Sequence, residues 1–466
     1  MKKVLSMILA AAMLCCLTTA AFSLSTGDLD RDGIHTAADA RTVLRAAVEL
    51  DELTPEQFAA ADVDGDGQIT AGDARAVLRT AVGLENVYGL QIPADFKVGF
   101  LILHDEESGY DKNVIDAAKT ACSEMGLSAD QYVIKTGVSE SDESYAAAVE
   151  LVESGCDVIF SDAYGHEPFL LQAAQEYPDV LFANMTGTRA NTEGVSNYKN
   201  IYASVYEGKY LAGVAAGLKL NQMIEAGKIT ADEAKLGFVG AFPYAQCVSV
   251  YTAFYLGARS VCPTATMEVN YAFSWYDAET EATRAEELIN EGCKVISQYS
   301  DSVGAPQVCA EAGVPNVSDT ASYATAFPGT HLTSTRINWV PCFTDIMRAV
   351  IAGDKLPTDW IGTLADGSVQ LEKINGFAAA PGTAEAVETA KKALLDGSVR
   401  VFDTANFTVE GEHITSCMAD VEDDGTFTPE TEAIVDGCYM ESYFRSAPYF
   451  DVRIDGITED IIWIIT

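Results

Sequence analysis

From residue 96 onward the chain alternates between two hydrophobic rhythms. Short apolar runs occur at 97–103 (Lys-Val-Gly-Phe-Leu-Ile-Leu), 157–160, 180–183, 236–239, 266–270, 294–297 and 315–317. Between them lie longer stretches, such as 113–125 and 278–290, with apolar positions every three or four residues. Short apolar runs bounded by turns predict strands buried on both faces, and the helical period predicts the amphipathic helices that cover them. The alternation occurs twice, through about 183 and again from 236. It predicts an α/β protein of two doubly wound lobes, with a ligand crevice at the strand C-termini. A long helix at 207–228, with Gly208, Gly213 and Gly217, is expected to carry the chain between lobes, and the segment from Arg336 to cross back. The expected boundaries are 95–210 plus part of 336–466 for one lobe and 235–335 for the other, with the turn-rich tail from about 403 unplaced.

A different pattern precedes residue 89. Asp28-Leu-Asp30-Arg-Asp32-Gly33 and Asp62-Val-Asp64-Gly-Asp66-Gly67 put carboxylates at loop positions 1, 3 and 5 and a glycine at 6. A further Asp follows at position 12 of each, Asp39 and Asp73. Ca2+ takes six to eight oxygen ligands in such a loop, and the glycine allows its sharp turn. Each loop runs into the same helix, Asp39-Ala-Arg-Thr-Val-Leu-Arg and Asp73-Ala-Arg-Ala-Val-Leu-Arg. A lone acidic loop is usually a solvated turn, but a duplicated one with a matching helix predicts two calcium sites in a paired EF-hand-like, all-α module over 24–88.

The first residues predict export. Lys2 and Lys3 precede an apolar run to Leu17 and the small residues Thr18 to Ala21. That is the layout of a secretory signal over 1–22, too short for a lasting span of about 20 residues. Cleavage is expected after Ala20 or Ser23. Cys15 and Cys16 lack the preceding small residue that lipidation requires, so an unlipidated, secreted or cell-surface protein is expected. The apolar 461–465 stretch is expected to be a terminal strand. The net charge of -40 argues against nucleic acid and anionic lipid as partners, since both need positive patches. Nine cysteines remain beyond the signal, from Cys122 to Cys438, without metal-ligand spacing. They are expected to be small buried hydrophobes, with one or two bridges open to an exported chain.

Residues just after the strands are the candidate crevice wall. They are Tyr110-Asp111, Asp162 with Tyr164 and His166, Asn184 and Thr186, Phe242 and Tyr244, Trp275, and Asp301. Aromatics and carboxylate or amide groups recur at this one topological position in both lobes. Rings would stack on a flat heteroaromatic ligand, and the polar groups would read its edge.

These segments carry a resemblance. Ser108-Gly-Tyr-Asp111, Tyr206-Glu-Gly-Lys-Tyr-Leu-Ala-Gly213, Gly240-Ala-Phe-Pro243, Tyr255-Leu-Gly-Ala-Arg-Ser260, Ser274-Trp-Tyr-Asp277 and Gln298-Tyr-Ser-Asp-Ser302 resemble, in order, the basic membrane protein family, purine nucleoside receptors of ABC importers. The resemblance implies a type I periplasmic-binding-protein fold, a purine base or nucleoside ligand, and an ABC permease partner. It implies that Tyr110 and Trp275 sandwich the base, with Asp111, Asn184 and Asp301 as polar contacts. Tyr110 stands where many relatives have Trp or Phe. The N-terminal repeats resemble a type I dockerin, which implies a cohesin partner chosen through Ala37-Ala38 and Ala71-Gly72. The combined expectation is a binding protein, not an enzyme: a purine receptor feeding an importer and held at the surface by its dockerin. Two other readings stay open, a purine-sensing surface protein without transport and a dockerin-bearing hydrolase using Asp162 and His166. The absence of a G-x-S-x-G or H-E-x-x-H motif speaks against the hydrolase.

Overall fold

The computed structural model describes residues 26–30, 35–48, 50–63, 67–82, 92–422 and 426–460. The expected signal at 1–22, the loop ligands Asp32, Asp64 and Asp66, and the terminal strand at 461–465 lie outside these residues. The described residues fall into two compact units, one before residue 90 and one from it onward.

Among its described residues the first unit has three helices, α1 (Ala37–Ala47), α2 (Pro55–Ala61) and α3 (Ala71–Ala81). Thr36 and Thr70 are the N-caps of α1 and α3, and Asp39 and Asp73 complete a capping box at the third helical position of each. The two helices therefore start in the same way because the two sequences repeat. Leu29, Val43, Ala60, Ala61 and Val77 form a small core, with Leu53 and Ile69 packed against it.

The second unit contains two sheets. The first is built from β1 (Val98–Leu101), α4 (Gly109–Met125), β2 (Tyr132–Lys135), α5 (Asp142–Glu153), β3 (Val158–Ser161), α6 (Glu167–Glu176), β4 (Leu181–Met185) and β5 (Tyr198–Ala203). The long helix α7 (Val205–Glu225) then leads to β6 (Lys235–Gly240), α8 (Ala245–Val261), β7 (Thr266–Tyr271), α9 (Ala278–Asn290), β8 (Val295–Tyr299), α10 (Gly304–Ala312), β9 (Asn316–Asp319) and β10 (His331–Ile337). The chain returns through α11 (Val340–Ala352) to β11 (Asp359–Gly362) and goes back to β12 (Val369–Leu371) and α12 (Thr383–Leu395). Two short hairpins follow, β13 (Met418–Ala419) with β14 (Thr431–Glu432), and β15 (Ile434–Val435) with β16 (Cys438–Tyr439), before β17 (Ile457–Asp460).

The sheets have the strand orders β2-β1-β3-β4-β5-β11 and β17-β7-β6-β8-β9-β10-β12. All neighbours are parallel except β12, which runs antiparallel to β10. The inner order is the same in both lobes, so each has a switch point, between β1 and β3 and between β6 and β8. A doubly wound sheet binds its ligand outside such a point.

Three crossovers join the lobes and are knitted together. Ser204 N donates to Gly362 O at 2.8 Å, Asn338 N to Ser368 O at 2.7 Å, and Leu364 N to a Glu207 carboxylate oxygen at 2.6 Å. Helices α7 and α8 cross where neither has a side chain. A Cβ on Gly213 would stand 2.0 Å from Phe254 O, and one on Gly257 would stand 2.0 Å from Tyr210 O. That close approach is the reason for Gly213 and, against Ala258 O, for Gly217.

The tail serves both lobes: β11 belongs to the first sheet, while β12 and β17 belong to the second. The nine cysteines Cys122 to Cys438 are all free, and all but the half-buried Cys417 are buried. None is bridged to another. No helix among the described residues is long and apolar enough to cross a membrane.

Candidate functional site

A cleft between the lobes encloses about 780 Å³ of open space, its mouth included. Its wall comes from the C-terminal ends of both sheets. The first lobe supplies Leu103, His104, Tyr110, Asp111, Asn113, Glu140, Asp162, Tyr164 and Thr186. The second supplies Trp275, Tyr299, Asp301, Asp319, Thr320 and Arg336, and Gln246 comes from α8. Of the eleven residues expected at the crevice, Tyr110, Asp111, Asp162, Tyr164, Thr186, Trp275 and Asp301 line this cleft.

The other four do not. Phe242 stacks on Tyr244 with ring centres 5.1 Å apart and meets Trp275 edge-on at 5.6 Å, so it supports Trp275 from behind. Tyr244 is exposed. Asn184 is fully buried in β4, where its amide donates to Met185 O at 3.0 Å. His166 is buried too, held by Ser161 Oγ at 2.7 Å and Val138 O at 2.8 Å, and burial lowers its pKa. It therefore forms no acid–base pair with Asp162 in the cleft.

Ser108 caps α4 and places Tyr110 and Asp111 in its first turn. Asp111 accepts hydrogen bonds from the His104 backbone N–H (2.7 Å) and Ser108 Oγ (2.5 Å), and its second oxygen lies 3.2 Å from His104 Nδ1. Burial alone would raise its pKa, but these three contacts hold it below the usual carboxylate range. The same hydrogen bond raises the His104 pKa. Asp111 thus shapes the loop that carries Tyr110.

Asp162 differs. One oxygen accepts from Leu103 N at 3.0 Å and the other has no hydrogen-bond partner. Burial and then the charge of Asp111 push its pKa well up. Asp301 is raised well above its ordinary value by burial, then by Asp319, Glu281 and Asp111. Asp319 is instead compensated: it ion-pairs with buried Lys209 at 2.7 Å and accepts from Thr335 Oγ1 at 2.6 Å. Two poorly compensated carboxyls facing a cavity are acceptors or proton-bearing donors waiting for a ligand.

The lobes already touch across the cleft. Tyr202 and Tyr299 share a 2.5 Å hydroxyl hydrogen bond, braced by Gln246 Nε2 at 2.7 Å from Tyr202. Nearer the mouth, Gly109 N donates to Asp301 O at 3.4 Å. Thr186 and Thr320, both at φ 59°, occupy the equivalent place after the fourth strand of each lobe. For a β-branched residue this left-handed conformation is costly and marks functional walls. Asp319, Gln246 and Thr320 were not among the expected site residues. The Ser-Asp pair repeats at the end of the third strand of each lobe, at Ser161-Asp162 and Ser300-Asp301.

In the N-terminal unit, carboxylate oxygens of Asp28, Asp30 and Asp39 lie within 4.8 Å of one another. Asp39 also accepts from Leu29 N at 2.9 Å and from Thr36 N at 2.8 Å. Asp73 repeats this with Val63 N at 3.0 Å and Thr70 N at 2.8 Å. Asp62 accepts from Gly67 N at 2.8 Å with one oxygen, while its other is buried and finds no partner among the described residues. An all-oxygen set with an orphaned buried acceptor fits Ca2+. Asp62→Ala is expected to remove one calcium equivalent and loosen only this unit. Calcium titration by calorimetry with a two-transition thermal scan tests it, and co-melting of the second unit would refute the division.

Two doubly wound lobes closing on a lined cleft define a solute-binding protein of the type I periplasmic-binding fold. Residues 104–398 match the ABC transporter substrate-binding protein PnrA-like family, Bmp, and the chain belongs to it. Residues 26–80 match the dockerin type I domain, a calcium-binding module. The chain is 27% identical over 277 residues to a purine-binding protein of Brucella abortus, covering 59% of this chain and 74% of that one. It is 35% identical over 165 residues to a putative ABC transporter glucose-binding protein of Haloferax volcanii, covering 35% of this chain and 38% of that one. An ABC transporter solute-binding protein from Conexibacter woesei shares the fold, with TM-score 0.54 and 19% identity over 66% of this chain and 98% of its own.

Proposed function

We propose that this protein is an extracytoplasmic receptor for a purine base or nucleoside that hands its ligand to an ABC permease and is held in place by its dockerin domain. The observation that carries the reading is the cleft itself. Tyr110 and Trp275 line it from opposite lobes, and Asp162 and Asp301 bring under-compensated carboxyls to the same wall. Rings grip a flat base, worth about 1–3 kcal/mol each, and the carboxyls penalise a ligand lacking donors to meet them. The purine-binding Brucella relative supports this choice of ligand. No bond is made or broken; the lobes open and close about the crossovers, and a permease senses the closed form.

The dockerin would take two calcium ions, one through Asp28, Asp30, Asp32 and Asp39 and one through Asp62, Asp64, Asp66 and Asp73. Ala38 and Gly72 are exposed at matching places in the first turns of α1 and α3, on a surface suited to a cohesin. In a secreted protein this docking would do the work of a lipid anchor.

The test is a thermal-shift panel of purine bases, nucleosides and sugars, with and without calcium. A purine is expected to raise the melting temperature of the second unit, with about 2.7 kcal/mol of stabilisation at a hundred times the dissociation constant. A shift with glucose alone would transfer the ligand class to that of the Haloferax relative and overturn the purine reading.

A further inference from the structure

The family match ends at residue 398, yet the described chain continues to 460 and binds both lobes beside the crossovers. Its aromatic core sits on the first turn of α7. Phe402 packs on Tyr206 at 5.1 Å and stacks on Phe450 at 4.3 Å, which meets Tyr439 at 4.7 Å. Ser446 N donates to Asp359 Oδ1 of the first sheet at 2.8 Å. On the second lobe, Ser249 Oγ of α8 donates to Glu441 at 2.6 Å, Tyr251 donates to Glu459 at 2.7 Å, and β17 extends the sheet beside β7. The approach is close: a Cβ on Gly456 would stand 1.8 Å from the Tyr255 hydroxyl.

We propose that residues 399–422 and 426–460 form a strap that restrains the lobes at the crossovers, and that the carboxyls of Glu441 on the strap, bonded to Ser249, and of Glu207 on α7, bonded to Leu364 N, make this restraint proton-dependent. A strap fixed to Asp359 on one side and to Ser249 and β7 on the other limits how far the lobes swing apart.

The groups around the pair leave it under-compensated. Glu207 faces Glu441, Tyr206 and Asp366 of the third crossover, with Leu364 N as its donor. Glu441 faces Ser249, Ser442, Tyr206, Tyr439, Tyr449 and the buried Arg445. Arg445 itself is occupied by Val421 O, Ala447 O and Pro448 O. Burial first, and for Glu207 then the charges of Asp366 and Glu441, push both carboxyls up from 4.5 to about 7. A docked strap therefore keeps a proton that a lifted one releases. Docking is strongest in mild acid and weakens as pH rises from about 4.5 to about 7.

Hydrogen exchange of the ligand-free full chain in calcium, at about pH 5.5 and about pH 7.5, tests this without reference to any purine. After correction for intrinsic rates, protection of 438–450 and of the first turn of α7 is expected to fall on the order of tenfold at the higher pH. Glu441→Gln should flatten that dependence. Tyr251→Phe, which loses the bond to Glu459 and leaves both carboxyls with their partners, should lower protection at both pH values and keep the slope. Small-angle scattering should show a larger radius of gyration in the less protected states. Wild-type protection independent of pH, or an unchanged slope in Glu441→Gln, would overturn the proposal.

Discussion

Replacing Trp275 by alanine is expected to weaken purine binding by about 1–3 kcal/mol while leaving the fold standing. Trp275 sits on the loop after β7, partly exposed, with Tyr299 edge-on at 6.2 Å and Phe242 behind it. Its backbone oxygen accepts from Asp301 N at 2.8 Å, a bond alanine retains, so the neighbouring carboxyl stays in place. The loss is therefore the stacking face and little else. Calorimetric titration beside a melting curve separates the two effects. An unchanged dissociation constant would remove Trp275 from the ligand, and a fall in melting temperature matching the affinity loss would make it a packing residue.

The second large effect is expected at Lys209, in a place that touches no ligand. Its ammonium is fully buried, 2.7 Å from Asp319 Oδ1, and donates to Gln298 O at 2.9 Å beneath the Tyr299 ring. Burial lowers its pKa and the Asp319 charge opposes that shift. Removing one partner of such a pair strands the other charge, so Lys209→Met should cost about 3–5 kcal/mol in urea unfolding. The double change Lys209→Met with Asp319→Asn should recover much of it, because a neutral pair needs no counter-charge. A single-variant loss under about 1 kcal/mol would show that water already compensates Asp319.

How far the sequence foretold this molecule depended on how each element is buried. The seven apolar runs correspond to β1, β3, β4, β6, β7, β8 and β9, whose side chains are almost wholly buried. β2, β5, β10, β11 and β12 carried no such signal. β10 is His-Leu-Thr-Ser-Thr-Arg-Ile, and it is buried because its hydroxyls find partners: Thr333 on Glu372 O at 2.7 Å and Thr335 on Asp319 at 2.6 Å. Polar strands of this kind depend on tertiary partners that periodicity does not record. In the cleft, strand-end position brought seven residues to one wall. Asn184, Phe242 and Tyr244 share that topological position, but their side chains turn into β4 or behind Trp275. Asp319 escaped notice because its strand looked too short to reach the cleft.

The matching Ser-Asp pairs and left-handed threonines have a consequence for how a bound molecule is oriented. Two positions of the wall repeat in both lobes, Asp162 with Asp301 and Thr186 with Thr320, so a ligand turned end for end would meet a carboxyl at either end. What tells one end from the other must be the unmatched residues, Tyr110, Asn113 and Tyr164 on one side and Trp275 on the other. Changing the preferred ligand is then a matter of those positions. The repeated acids set only how many donors a ligand must offer.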